Sequence, residues 1–192
     1  MSFFHSSLHK VKFLLLAMIT LILVSLIGIS AIAFAKNTTN IPKYSGAIPS
    51  DVIIDKVYVD KSERVLKLLS NDKVIKSYHI ALGDSPVGHK HQQGDERTPT
   101  GHYTLDYKNE KSGYHRSIHV SYPNAADKAQ ARKRGVSPGG DIMIHGQKNG
   151  FGHLAALTQQ RDWTDGCIAV TDKAMDEIMS IYKAGMPIEI VE

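Results

Sequence analysis

Cysteine is all but missing from this chain: Cys167 is the only one in 192 residues. That excludes an intrachain disulfide and leaves three roles for the thiol, namely an inert buried group, an intermolecular bridge or a nucleophile. Tryptophan is equally scarce, with Trp163 alone. The chain has no internal repeat and no low-complexity tract, so neither a solenoid nor a compositionally disordered protein is indicated. An excess of one charge is lacking too. The formal net charge is +4, but Lys10 and Lys12 stand in an N-terminal stretch without acidic residues, and the remainder carries 21 basic against 19 acidic side chains. So mild a balance gives no footprint for nucleic acid. The basic run Ala131–Gly135 has no interleaved aromatic residue on which a base could stack, and reads as a solvated helix face.

The first conspicuous presence is apolar. Phe13 to Ala35 runs 23 residues without a charge, flanked by Lys10 and Lys12 and closed by Ala33-Phe34-Ala35. A basic flank, an apolar run and a small-x-small end describe residues 1–35 as a signal peptide or an N-terminal membrane anchor, the length of the run favouring the anchor. Both imply lysines left in the cytoplasm and an exported domain, in the periplasm or on the outer face of the cytoplasmic membrane. Residues 36–50 are polar with two prolines and read as a linker. Residues 51–192 are long enough for one domain with its own core.

Within that domain, "DVIIDKVYVD", "RVLKLLS" and "VIKSYHIALG" are rich in Val, Ile and Leu, and Asn71-Asp72-Lys73 signals a turn. "TGHYTLDYK" and "SIHVSY" alternate apolar and polar residues. A helix is expected from Asn124, as N-cap, to Gly135, as stop. A second is expected from Thr171 to Gly185, with Ala174, Ile178, Ile181 and Tyr182 on its buried face. The fold class that follows is mainly β, an antiparallel sandwich or barrel with two or three short helices.

A cysteine nucleophile reacts as the thiolate, and needs a base beside it and N–H groups for the oxyanion. Asp165-Gly166 forms a tight turn into the strand that Cys167 opens. The amides of Asp165, Gly166 and Cys167 are candidates for an oxyanion hole. His145 ends the apolar strand "IMIH" and precedes Gly146, which makes it the candidate base. His153 begins a helical stretch and is the weaker candidate. The expected electrostatics is an ion pair that raises the thiolate fraction of Cys167 at mildly acidic pH. Arg97 either binds substrate carboxylates or pins its own loop. Trp163 walls the cleft or packs in the core. His89 and His91 lack a third ligand at a convincing spacing, and His115 and His119 are not on a helix, so no metal site is expected.

Together these residues resemble the L,D-transpeptidase (YkuD-type) catalytic domain family, whose signature is His-Gly, a spacer, then Ser/Thr-x-Gly-Cys. The matching residues are His145-Gly146 and Thr164-Asp165-Gly166-Cys167. A second block, "GHKHQQGDERTPTGHY", matches as well, and "SYPNAADKAQARKRGVSPGGDIMIHG" is similar to the YafK-like branch. The resemblance spans residues 50–191. It implies the family's β-fold, Cys167 as nucleophile and His145 as base oriented by the Gly146 carbonyl, with no cofactor or metal, while Arg97, Thr164 and Trp163 stand beside it as candidate substrate contacts. It implies peptidoglycan stem peptides as substrates, with a wall-linked lipoprotein as a further partner. The reaction it implies is acyl transfer through a Cys167 thioester to an amine. Two alternatives stay open: an amidase or peptidase using water as acceptor, and a non-catalytic wall-binding module, which would need neither Cys167 nor His145. Three departures are evident. Asp165 replaces a histidine, Ala169 replaces an arginine that could clamp a carboxylate, and the His145-to-Cys167 spacer is long. Ala169 implies altered donor or acceptor choice.

Overall fold

The computed structural model describes residues 46–192. The apolar run 13–35 and most of the linker lie outside the described residues. Among the described residues, no helix is long and apolar enough to cross a membrane.

The local structure follows from the sequence patterns. Strands β1 (Lys56–Asp60), β2 (Val65–Ser70) and β3 (Lys73–His79) form a meander. Asn71 and Asp72, at φ 50° and 59°, make the two-residue turn between β2 and β3, a conformation that matches the twist of a hairpin and suits these two residue types. Strands β4 (Gly101–Asn109) and β5 (Ser117–Val120) follow. Helix α1 (Ala125–Arg134) begins where Asn124 Oδ1 accepts the Ala126 and Asp127 amides at 2.9 and 3.1 Å, while Asp127 accepts the Asn124 amide at 2.9 Å. It ends at Gly135 in the left-handed conformation, as expected from sequence. Then come β6 (Met143–His145), a 3-10 turn (Gly152–Leu154) running into the short helix α2 (Ala155–Thr158), β7 (Ile168–Ala169), α3 (Asp172–Ile181) and β8 (Met186–Val191).

These strands form one mixed sheet in the order β3-β2-β1-β8-β4-β5-β6-β7. Five of its seven pairings are antiparallel, while β1–β8 and β6–β7 are parallel. The fold is mainly β with three helices, as the sequence indicates, but the parallel β6–β7 pair is the feature that builds the site. The sheet curls until the chain beyond β3 reaches its other edge: the Ala81 and Ala169 amides each donate to the other's carbonyl, at 2.9 and 2.8 Å.

Leu66, Leu68, Leu105, Ile118, Ile144, Ile168 and Ile188 fill the core, capped by α3 through Met175 and Ile178. The helix buries Ala174, Met175, Ile178 and Met179, so Ile181 and Tyr182, expected on that face, are only partly covered. α3 also stops at Ile181, before Gly185, because Tyr182 turns extended to lead the chain into β8. Lys61 is fully buried where the sheet meets the C-terminus. Its ammonium donates to Gly88 O at 2.6 Å and to Glu192 Oε2 at 2.9 Å, tying the last residue to the start of the loop that leads to Lys90.

Candidate active site

β6 and β7 pair in parallel with Ile144 opposite Ile168 and His145 opposite Ala169. Side chains alternate along a strand, so Cys167, two residues before Ala169, shares a face with His145 as its diagonal neighbour across the ladder. The turn that presents Cys167 is held from both sides. The Trp163 and Thr164 amides both donate to Leu82 O at 3.0 Å. Thr164 Oγ1 donates to Cys167 O at 2.7 Å, and Thr98 Oγ1 donates to Gly166 O at 2.9 Å. Gly166 has φ +119°, and a Cβ there would lie 2.5 Å from Arg97 O, so only glycine fits the turn.

His145 is 5% exposed. Its Nδ1 lies 2.6 Å from Gly146 O. A carbonyl only accepts, so Nδ1 carries the proton and the neutral ring keeps its lone pair on Nε2. Gly146 is itself confined, since a Cβ would sit 2.7 Å from Asp172 Oδ1 and 2.8 Å from His115 Cβ. The rings of Tyr114 and Trp163 flank His145 at centroid distances of 4.8 and 5.7 Å. Burial pulls the His145 pKa below its ordinary value, and the Gly146 carbonyl offsets this only in part. Burial pushes the Cys167 thiol up, against smaller opposing effects from the Met143 backbone and Lys90. Cys167 Sγ lies 3.5 Å from Asp141 O, where the thiol can donate. In both groups desolvation is the largest influence, and it favours the neutral thiol and the neutral imidazole over the charged pair.

Cys167 and His145 both line a cavity of about 290 Å³, together with Trp163, Tyr114, Ser117 and Asp141. A second cavity of about 600 Å³, lined by Lys90, Gln93 and Glu96 among others, adjoins it through the shared Asp141 and Asp165. Lys90 is 3% exposed and reaches Asp95 at 2.8 Å. Burial alone would raise the Asp95 pKa, but bonds from Lys90 and from the His91, Gln92 and Arg97 amides bring it down to about 2.

Of the three amides expected in an oxyanion hole, Gly166 N–H is taken by Thr164 Oγ1 at 3.2 Å. The amides of Asp165 and Cys167 have no acceptor among the described residues, which leaves those two as the free candidates. Thr164 is 5% exposed and spends its hydroxyl on the turn. Arg97 lines neither cavity. Its guanidinium packs on Gly88, its amide donates to Asp95 at 3.2 Å, and its carbonyl abuts Gly166. Trp163 stands on the cavity wall rather than in the core. Ala169 is fully buried between β6 and Ala81, outside the cavity. His89 bonds Thr100 and approaches Asp127, His115 reaches Asp176 at 2.8 Å, and His119 reaches Asp106 at 2.7 Å, each serving the scaffold. His153 is exposed in the 3-10 turn, away from Cys167. Among the described residues, no group of three or more His, Cys, Asp or Glu is placed to hold a metal ion. Sequence reasoning passed over Ser117, Tyr114 and Asp141. Ser117 carried one usable signal, an alternating strand that puts it on the solvent-or-cleft register of "SIHV", but nothing local marks Tyr114 or Asp141.

Known proteins bear the same outline. The chain is 28% identical over 180 residues to the Escherichia coli K12 protein named "Putative L,D-transpeptidase YafK", an alignment that takes in 90% of this chain and 64% of that relative. The helical cell shape determining protein Pgp2 of Campylobacter jejuni superposes with a TM-score of 0.54 at 24% identity, over 74% of this chain and 49% of that one. Bd1075 of Bdellovibrio bacteriovorus superposes with a TM-score of 0.53 at 21% identity, over 76% and 50%. At that identity the two structures speak for the fold alone, and this chain spans about half their length. Residues 54–190, from just before β1 almost to the end of β8, match the model of one domain family, and with His145, Thr164, Asp165 and Cys167 lining a single cavity the chain belongs to the L,D-transpeptidase catalytic domain (YkuD) family.

Proposed function

We propose that this protein is an exported, cysteine-dependent acyltransferase of the bacterial wall that acts on peptidoglycan stem peptides through a thioester on Cys167. The observation that carries the reading is the tautomer of His145. Its Nδ1–H is committed to Gly146 O, so Nε2 is the ring's basic atom in the cavity it shares with Cys167.

The steps follow from that arrangement. His145 Nε2 takes the Sγ proton as Sγ attacks the donor carbonyl, so proton transfer and C–S bond formation need no prior ion pair. The carbonyl oxygen gains negative charge and is received by the Cys167 and Asp165 amides, which have no other acceptor. On collapse, the C–N bond breaks and the departing amine of the terminal residue takes the proton from His145. An incoming amine then loses its proton to Nε2, attacks the thioester and releases the Cys167 thiol. Water in the amine's place would give hydrolysis by the same steps. A wall-linked lipoprotein is a candidate acceptor or target.

The test is incubation of the exported domain with stem tetrapeptides, with and without an amine acceptor, followed by mass spectrometry. The expected products are a mass increment on Cys167 and an amide joining donor to acceptor. Cys167→Ser should lose both while keeping its melting temperature, because the hydroxyl is nearly isosteric but far less nucleophilic at neutral pH. Turnover at the original rate in that variant would remove the thioester from the mechanism.

A further inference from the structure

Outside the catalytic cavity, the β4–β5 ladder holds an aromatic ring open to solvent. The register slips between the pairs Leu105–Val120 and Lys108–Ile118, so that Asp106 and Tyr107 together stand opposite His119. A bulge of this kind sets two residues against one and re-aims their side chains. Here the two residues hold one imidazole between them. His119 Nδ1–H donates to Asp106 Oδ1 at 2.7 Å, and the Tyr107 ring lies flat on the imidazole, with centroids 4.6 Å apart and planes 12° from parallel. The His119 side chain is only 14% exposed, so the stack is backed by the sheet. Tyr107 remains 48% exposed although one face of its ring is covered. What it presents to solvent is the opposite face and the ring edge.

The ladder also fixes where this ring stands relative to the nucleophile. His119 pairs with Met143, and Ser117 pairs with His145. Paired residues project to one face of a sheet, and residues two apart on a strand share that face. His119 therefore stands on the face that carries His145 and Cys167. Met143, its partner, and Asn109, two residues beyond Tyr107, both line the catalytic cavity. Partial burial, then the charges of Asp141 on the cavity wall and of Asp106, hold the Tyr107 phenol above its ordinary pKa. The stack thus continues the cavity toward β4. From β7 to β4 is three strand spacings, about 14 Å.

That span fits the proposed substrate. A stem tetrapeptide that loses its terminal residue is attacked at the carbonyl of its third, and three extended residues cover about 10 Å. With that carbonyl at Cys167, the sugar to which the stem is joined would arrive near β4. A sugar ring carries slightly positive C–H bonds on its faces, which the negative face of an aromatic ring attracts. Its hydroxyls need polar partners at the ring edge. Asp106, with 43% of its side chain exposed, and the exposed Asn109 amide can supply them.

We propose that Tyr107, backed by His119 and Asp106, is a saccharide-binding platform that stacks against a sugar ring of the glycan strand while the attached stem peptide occupies the catalytic cavity. The proposal rests on the stem-peptide reading above.

The experiment is calorimetry on Cys167→Ser protein with a stem tetrapeptide and with the same peptide joined to an N-acetylated amino-sugar disaccharide. The sugar-linked peptide is expected to bind about tenfold more tightly, the equivalent of one good aromatic stack. Tyr107→Ala in the same background should remove that gain and leave the free peptide unchanged. Tyr107→Phe retains the ring face and should retain most of the gain. Equal affinities of the two ligands, a gain that survives Tyr107→Ala, or equal weakening of both ligands by that substitution would overturn the assignment. Acylation of Cys167 in the unsubstituted protein is measured in parallel. Acyl-enzyme formed from the free peptide, with no gain in affinity from the sugar, refutes the platform alone. Neither binding nor acylation by either ligand refutes the stem-peptide reading and the platform with it.

Discussion

Burial moves Cys167 and His145 in opposite directions on the pH scale and to one chemical end, the neutral form of each. A neutral imidazole can accept a proton and a thiol can give one, so in the proposed reaction the charges that desolvation disfavours would arise only as the donor carbonyl is attacked, next to the Asp165 and Cys167 amides. The expected consequence is a labelling profile. With the Cys167 pKa raised, the thiolate fraction at a given pH lies below that of a free thiol, whose pKa is about 8.5. A thiol alkylator should therefore label Cys167 more slowly than a model thiol at pH 6–7, and the rate should still be climbing where the model thiol has levelled off. A fast rate already on a plateau in mild acid would instead mean a thiolate–imidazolium pair at rest. The candidate nucleophile and base were legible in the sequence because each stands beside a glycine at a strand end. Their protonation states were not, because burial is a property of the folded chain. The occupation of Gly166 N–H was hidden for the same reason: it depends on how Thr164 turns its hydroxyl in a loop.

Among the elements, β7 matters most, although it is only two residues long. The strand Ile168–Ala169 is paired on one side with β6 and on the other with Ala81, and both of its side chains are fully buried. Periodicity made the long strands, the Asn71-Asp72 turn and both ends of α1 readable, since hydrophobic alternation and cap chemistry are local. The parallel β6–β7 pairing joins segments some 20 residues apart across α2, and the β1–β8 pairing joins the two ends of the domain, so neither leaves a local mark. Position 169 shows the difference. The departure from the family pattern suggested a missing clamp in the cleft, but Ala169, although on the same face of the sheet as His145 and Cys167, is fully buried and lines neither cavity. Ala169→Arg should therefore act on stability rather than on donor choice. Forcing a charged side chain into a fully buried site without a partner costs several kcal/mol. A melting curve is the measurement, and loss of the cooperative transition, or a drop of well over 10 °C for a domain of this size, is expected. A stable variant with a new preference for charged donors would return the clamp to the cleft.

For the whole molecule, the question is what would bring this cleft to the wall on which it is proposed to act. The proposed answer lies in Phe13–Ala35, outside the described residues. At about 1.5 Å per residue a helix of this length would cover roughly 35 Å, enough for a hydrocarbon core of about 30 Å. Lys10 and Lys12 precede the run, and no acidic residue stands among the first 35 positions, so the amino end should remain in the cytoplasm and the domain should emerge on the far side. Residues 36–50 would then be the tether. Such a tether keeps the nucleophile within reach of wall close to the membrane and lets a modest affinity for stem peptides suffice, because the enzyme stays near its substrate. Ala33-Phe34-Ala35 offers the opposite outcome, cleavage before Lys36 and a freely diffusing domain. Two measurements on the native protein decide between them. With the anchor retained, the protein sediments with membranes through a high-salt wash, and protease added outside spheroplasts reaches the domain. Intact-mass spectrometry should find the chain beginning at its own amino end, and a mature protein beginning at Lys36 would show that the segment only delivers the enzyme and does not hold it.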